Sequence, residues 1–124
     1  MKNYNEYEEV SNPRVDCKNL GTMVCFHRRY SLGDKHSFKT TEDLDKFLKR
    51  KNIVAFLPLY LYDHSGITMA TTPFHCKWDS GKVGYIYATR ATARKMGVDP
   101  ESVDEIKNQL ISEVKAYDEY LVGA

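Results

Sequence analysis

The chain has 124 residues, 42 % of them hydrophobic, with 18 basic and 17 acidic side chains and a formal charge of +1. That length suits one domain with a real core, because chains of this size bury well over half of their unfolded surface, and no second domain is expected. The longest apolar run, IVAFLPLYLY from Ile53 to Tyr62, is about half of a membrane span and is interrupted by Pro58. The N-terminus MKNYNEYEEV lacks the apolar stretch of an export signal, so a cytoplasmic protein is expected.

Three cysteines, Cys17, Cys25 and Cys76, with no Cys-x-x-Cys unit, read as free thiols of a reducing compartment. The charge is uneven along the chain: −2 over residues 1–16, +5 over 17–51, +3 over 52–98 and −5 over 99–124. A basic body between acidic ends suits an acidic partner, although screening and the acidic tail keep the field modest. No recognition-helix or stacking pattern is present, so nucleic acid ranks below a protein partner.

In chain order, residues 1–13 are polar and without a period: a flexible lead-in to a single domain over 14–124, with order expected from about Asn19. In GTMVCFHRRY, Met23, Cys25, His27 and Arg29 alternate with Val24, Phe26, Arg28 and Tyr30, the two faces of a strand whose end turns cationic. SLGDKHS follows as a loop turned by Gly33 and Asp34. TTEDLDKFLKR predicts a short helix, capped by Thr40 or Thr41, with acids in its first turn, bases in its last, and Leu44, Phe47 and Leu48 as its buried stripe.

Ile53 to Tyr62 predicts a strand, and Pro58, which has no amide hydrogen, places it at an edge or a bulge. YDHSG turns the chain into ITMATT, completing a hairpin. After a loop from Pro73, KVGYIYAT is a strand in which Gly84 marks a bulge or a close backbone approach. TRATARKMG is a basic helix between a Thr89 cap and Gly97. The last helix has Asp99 as cap, Pro100 at its first position, an apolar stripe of Val103, Ile106, Leu110, Val114, Tyr117 and Leu121, and Gly123 as its stop. The order β-α-β-β-β-α-α predicts a single α+β domain: a mainly antiparallel sheet of about four strands with helices on one face.

Chemistry-bearing residues gather on two turns, Asp63, His64 and Ser65 on one, Cys76, Asp79 and Ser80 on the other. A Cys76 thiol with His64 as base, oriented by Asp63 or Asp79, would meet the needs of nucleophilic catalysis. The spacing does not demand it, and no nucleophile elbow or cysteine-protease signature accompanies it. The turns are also complete without catalysis. Asp63 and Ser65 can accept backbone amides beside Gly66; Asp79 and Ser80 can do so around Gly81, with Trp78 buried against the sheet. A small hydrolase or transferase is therefore the second reading. Zinc would draw on Cys25 and His27 with His64, His75 or Cys76, but ligand pairs at customary spacing are missing, and no metal or cofactor is expected. Arg28, Arg29, Lys35 and His36, with Arg90 and Arg94 on the basic helix, can hold a phosphate or an acidic surface. Their bland alternative is a solvated strand end balanced by the acidic last helix.

The segments NLGTMVCFHRRYSLGDKH, LPLYLYDHSGITMATTPF, CKWDSGKVGYIY and EVKAYDEYLVG, spread from Asn19 to Gly123, resemble a family of small uncharacterised proteins encoded by bacteriophages and prophages. The resemblance implies a product acting inside a bacterial cell and transfers no catalytic residue. Members tend to carry serine at the position of His75, which argues against a role for that histidine, and to continue past Gly123, so the C-terminus looks cut short. Small accessory phage proteins often act by binding. The expected function is thus a binding protein rather than an enzyme, one that antagonises or redirects a bacterial host factor such as a CRISPR or nucleotide-signal immune component. Its expected surface joins Arg28, Arg29, Lys35 and His36 to the turns at His64 and Asp79, extended by Arg90 and Arg94. The expected partner is a host protein or immune complex; a phosphate-bearing ligand held by the same cations, in a homodimer, is the variant.

Overall fold

The computed structural model describes residues 11–63, 65–75 and 80–123. Strands β1 (Thr22–Cys25), β2 (Ile53–Asp63), β3 (Ile67–Ala70) and β4 (Ser80–Thr89) form one antiparallel sheet in the order β1-β4-β2-β3. Helices α1 (Pro13–Asp16), α2 (Thr41–Leu48), α3 (Arg90–Lys95) and α4 (Val103–Gly123) complete an α+β domain. The expected order of elements is present, with α1 added in front of it. Among the described residues no helix is long and apolar enough to cross a membrane.

Strand alternation sends Met23, Leu59, Leu61, Met69 and Ile86 to one face, where α4 lays Ile106, Leu110, Val114 and Tyr117 across them. Each is at most 3 % exposed, and burying such a side chain stabilises the fold by about 1.5–3 kcal/mol. On the opposite face Val24 and Tyr87 meet Leu44 and Leu48 of α2 in a smaller cluster, with Phe47 edge-on to both Phe38 and Tyr87. The stripe of α2 is the one its sequence predicts, and Thr40 caps the helix by accepting from the Asp43 amide at 3.1 Å.

The Pro58 and Gly84 expectations are both met. β3 pairs with β2 only from Tyr60 onward, so at Pro58 β2 is locally an edge and the missing amide hydrogen breaks no ladder bond. The register against β4 slips between Leu59↔Gly84 and Tyr60↔Lys82, leaving Val83 as the extra residue of a bulge. A Cβ at Gly84 would stand 1.9 Å from the Val24 carbonyl oxygen. At the far end Thr89 caps α3, and Gly97, at φ +76°, closes it: the Gly97 amide donates to the Arg94 carbonyl at 3.0 Å and the Val98 amide to that of Ala93 at 2.8 Å.

Three expectations are corrected. Order begins before Asn19: Asn12 caps α1, its Oδ1 accepting from the Arg14 amide at 2.9 Å, and the Arg14 side chain is 1 % exposed. Asp99 does not cap α4. It shapes a preceding turn around Pro100, accepting from the Glu101 amide at 3.0 Å through Oδ1, and the helix starts at Val103. Ser80 and Gly81 are not turn residues but the first residues of β4, paired with Tyr62 and Leu61. β2 is eleven residues long, and on the side away from β3 its last residues find their ladder partners in this stretch.

Arg14 organises the polar interior. Its Nε and Nη2 donate to both carboxylate oxygens of Asp34 at 3.0 and 2.7 Å, Nη2 also to the Gly21 carbonyl at 2.7 Å, and Nη1 to Glu113 at 3.3 Å. Glu113 in turn accepts from the Leu20 and Gly21 amides at 2.7 and 3.0 Å and from Gln109 Nε2 at 3.0 Å. Burial works against the guanidinium charge, but the bonds and charges of Asp34 and Glu113 outweigh it and hold its pKa above the ordinary value. Asp34 and Asp118 also close the sheet edges. Asp34 accepts from the Met23 amide at 2.8 Å on the outer side of β1, and Asp118 accepts from the Met69 amide at 2.8 Å on the outer side of β3.

Removing the cation would strand the buried carboxylate of Glu113 and the partly buried one of Asp34, so Arg14→Ala is expected to lower stability by about 3–5 kcal/mol, read from the midpoint and slope of urea unfolding. Gly84→Ala is expected to abolish soluble native protein altogether, since the atom its Cβ would strike is backbone; a native circular dichroism spectrum and thermal transition for that variant would refute the contact.

Candidate functional site

The segment joining β1 to α2, residues 26–40, carries most of the cations singled out in the sequence, and its backbone is fastened from several sides. The Arg29 and Tyr30 amides donate to His27 Nδ1 at 3.1 and 3.3 Å, and the imidazole packs on the Tyr30 ring at 5.0 Å. The Phe38 amide donates to His36 Nδ1 at 3.1 Å, so the hydrogen sits on Nε2 and is donated to the Cys25 carbonyl at 3.1 Å. Gly33 turns the chain at φ +75° and its amide donates to the Tyr117 hydroxyl at 2.9 Å; burial pushes that phenol's pKa up, keeping it neutral. Asp34 is held by Arg14.

These ties shape an open concavity of about 1360 Å³ along residues 25–36. Buried Cys25 and Leu32 line it, while Arg28, Arg29 and Lys35 are exposed around it. Arg29 reaches across the start of β4 to Asp63 at the end of β2, Nη2 to Oδ2 at 2.5 Å, and its guanidinium lies 5.5 Å from the centre of the Tyr30 ring. Among the described residues Arg28 and Lys35 have no hydrogen-bond or ion-pair partner. The loop therefore presents two uncommitted cations and one shared cation from a backbone with little freedom left.

Other candidates fall elsewhere. His36 lines the concavity, but both of its ring nitrogens are spent on the backbone, so it holds the loop. Arg90 and Arg94 lie in the first and last turns of α3, beyond the far end of β4; Cys25 of the concavity pairs with Gly84, six residues or roughly 20 Å of strand from Arg90, so they do not extend it. Arg90 pairs with Glu101 at 2.9 Å. Asp63, read as accepting turn amides, accepts the Arg29 guanidinium, while Ser65 at φ +61° and Gly66 at φ +152° make the turn. His64, Cys76, Trp78 and Asp79 lie outside the described residues, and with them most of the thiol mechanism.

Cys25 turns into the main core, 7 % exposed, and burial, aided by Asp34, pushes its thiol up to about 12. His27 sits beyond the end of β1 with Nδ1 occupied, so the two do not share an ion. Among the described residues no three of His, Cys, Asp and Glu gather as a metal site. The Arg29–Asp63 pair and the Arg14–Asp34 support have no counterpart in the sequence reading; their partners lie 34 and 20 residues apart, and no local pattern marks them.

No protein-family model, curated protein or solved structure matches the chain.

The environment of Cys25 predicts its reactivity. At mildly alkaline pH iodoacetamide is expected to alkylate exposed Cys17 in the native protein and to spare Cys25 until urea is added, as read by peptide mass spectrometry. A raised folded-state pKa means that the buried neutral thiol contributes stability fully below the unfolded value of 9.0 and loses it as the pH climbs towards about 12. Alkaline unfolding is expected to shift upward in Cys25→Ala relative to the wild type once the thiol change is allowed for at neutral pH.

Proposed function

We propose that the protein acts by binding: a bacteriophage-type accessory protein that holds an acidic surface of a bacterial host protein against the concavity of residues 26–36 and so antagonises or redirects it, a component of an immune system being the expected target. The observation that carries this reading is the pair of uncommitted cations, Arg28 and Lys35, on a loop fastened by His27, His36, Tyr117 and the Arg14–Asp34 pair. A pre-ordered loop spares the partner the entropic cost of ordering it. Exposed charges of one sign steer association and select against like-charged partners. Binding is favoured over a reaction because the carboxylate, imidazoles and thiol named here are tied into the structure: Asp63 to Arg29, His27 and His36 to the backbone, and Cys25 to the core.

The test is a bacterium carrying a phage-defence system, with the protein expressed from a plasmid. The wild type is expected to protect infecting phage and to co-purify with a component of that system. Arg28→Glu combined with Lys35→Glu is expected to weaken the complex at least about tenfold, with an unchanged circular dichroism spectrum, while Arg94→Glu at the far end of the sheet has no effect. Full protection by the double variant would sink the reading.

A further inference from the structure

Arg28, Arg29 and Lys35 line the same concavity, and Arg29 alone of the three is engaged, its Nη2 donating to Asp63 Oδ2 at 2.5 Å. The chain thus holds two arginine–aspartate pairs that differ in kind. Arg14 is 1 % exposed and grips both oxygens of Asp34 through two donors, at 3.0 and 2.7 Å. Arg29 is 69 % exposed, its partner 23 %, and a single donor meets a single oxygen. A buried two-donor pair is hard to open, whereas an exposed pair favours its closed form by about fivefold at most. The first is built to stay and the second can exchange.

The Arg29 guanidinium does not depend on Asp63 alone for its position. It lies 5.5 Å from the centre of the Tyr30 ring, which packs against the main core and meets the His27 imidazole at 5.0 Å. Attraction to that anchored ring persists when the carboxylate leaves, so the cation stays over the concavity. Asp63, by contrast, sits on another element, at the last position of β2. Asp34, the one carboxylate among the described lining residues, is held by Arg14 and adds little repulsion.

We infer that Asp63 occupies the place of a partner's carboxylate: binding exchanges the Arg29–Asp63 pair for one between Arg29 and an aspartate or glutamate of the partner, and Arg29 joins Arg28 and Lys35 as the third cation of the contact. The chemistry of the occupant follows from the group it replaces, a planar carboxylate that can meet the guanidinium fork with both oxygens. Until then Asp63 neutralises Arg29 and repels an incoming carboxylate, so it acts as a competitor that weak acidic surfaces do not displace. The inference rests on the binding reading above and assigns Arg29 and Asp63 their parts in it.

The probe is a fluorescein-labelled octaglutamate, followed by fluorescence anisotropy, with an oligo-dT of equal length as comparison. Asp63→Asn, its fold checked by circular dichroism, is expected to bind octaglutamate about threefold to fivefold more tightly than the wild type. In the Asp63→Asn background Arg29→Ala is expected to weaken binding at least about tenfold, and Arg29→Lys, which keeps the charge without the fork, to restore only part of the loss. In the wild type the Arg29 Nε–H NMR signal, assigned by its loss in Arg29→Lys, is expected to shift as the peptide is added. A pair that only fixes the loop predicts the opposite for Asp63→Asn, weaker binding, and that result or an unchanged affinity overturns the inference. So does an Arg29 signal that stays in place at saturation, tighter binding of oligo-dT than of octaglutamate, or no binding of octaglutamate to either protein. If Asp63→Asn gains nothing while Arg28→Glu with Lys35→Glu still destroys the host complex, only this inference fails; if the double charge variant also leaves that complex intact, the binding reading fails with it.

Discussion

A guanidinium group buried to 1 % exposure must find both charge and hydrogen-bond acceptors inside the protein, since removing it from water costs several kcal/mol. Arg14 finds them on three different segments: Asp34 in the loop after β1, the Gly21 carbonyl at the entry to β1, and Glu113 in the middle of α4. The requirement therefore decides where those segments meet. It also fixes α4 along its axis. The stripe of Ile106, Leu110, Val114 and Tyr117 is uniform enough that apolar contact alone would accept a shift by one turn. Glu113 on the Leu20 and Gly21 amides, Asp118 on the Met69 amide and the Tyr117 hydroxyl on the Gly33 amide accept only one register.

The same constraint reaches the candidate site. Residues 26–40 turn Leu32, Asp34 and the rings of His27 and His36 inward, or spend them on backbone groups, and this leaves Arg28, Arg29 and Lys35 outside. A loop of this length without such ties would lose much of its binding free energy to ordering. Because the ties run to α1 and α4, core stability and surface geometry are coupled. Damage to the Arg14 network loosens the cationic rim even though Arg14 and Glu113 are themselves buried.

Much of the architecture was legible in the sequence because it rests on local regularities. The stripe of α4, the caps Thr40 and Thr89, the Gly97 stop and the glycine at 84 each state a periodicity or a backbone requirement within a few residues. What the sequence hid depends on distant partners. Arg14 meets Glu113 across 99 residues, and a four-residue helix has no periodicity to announce it. Ser80 and Gly81 have turn composition but are drawn into β4 by the length of β2. Asp99 shows how narrow the difference can be: the same side-chain oxygen that caps a helix also closes a turn, and Pro100 serves either. At the site, the cationic loop was visible as composition, but its union with Asp63 and the separation of Arg90 and Arg94 follow from strand direction, which composition does not encode.

Lengths explain why one face of the sheet stays partly bare, with Phe56 43 % exposed. α4 has 21 residues and spans about 30 Å, enough to cover the main face, whereas the eight residues of α2 span about 12 Å against strands of ten and eleven residues. The exposure of Phe56 is thus a consequence of a short helix on a long sheet, not of loose packing where α2 does make contact. An exposed aromatic face on a sheet ordinarily invites strand-to-strand association. Here Asp34 and Asp118 occupy outward amides of β1 and β3, so the fold can keep a bare face while its edges are closed to pairing. Closure of the β3 edge rests on Asp118, one of the polar residues that register α4, which ties the protection of that edge to the integrity of the core.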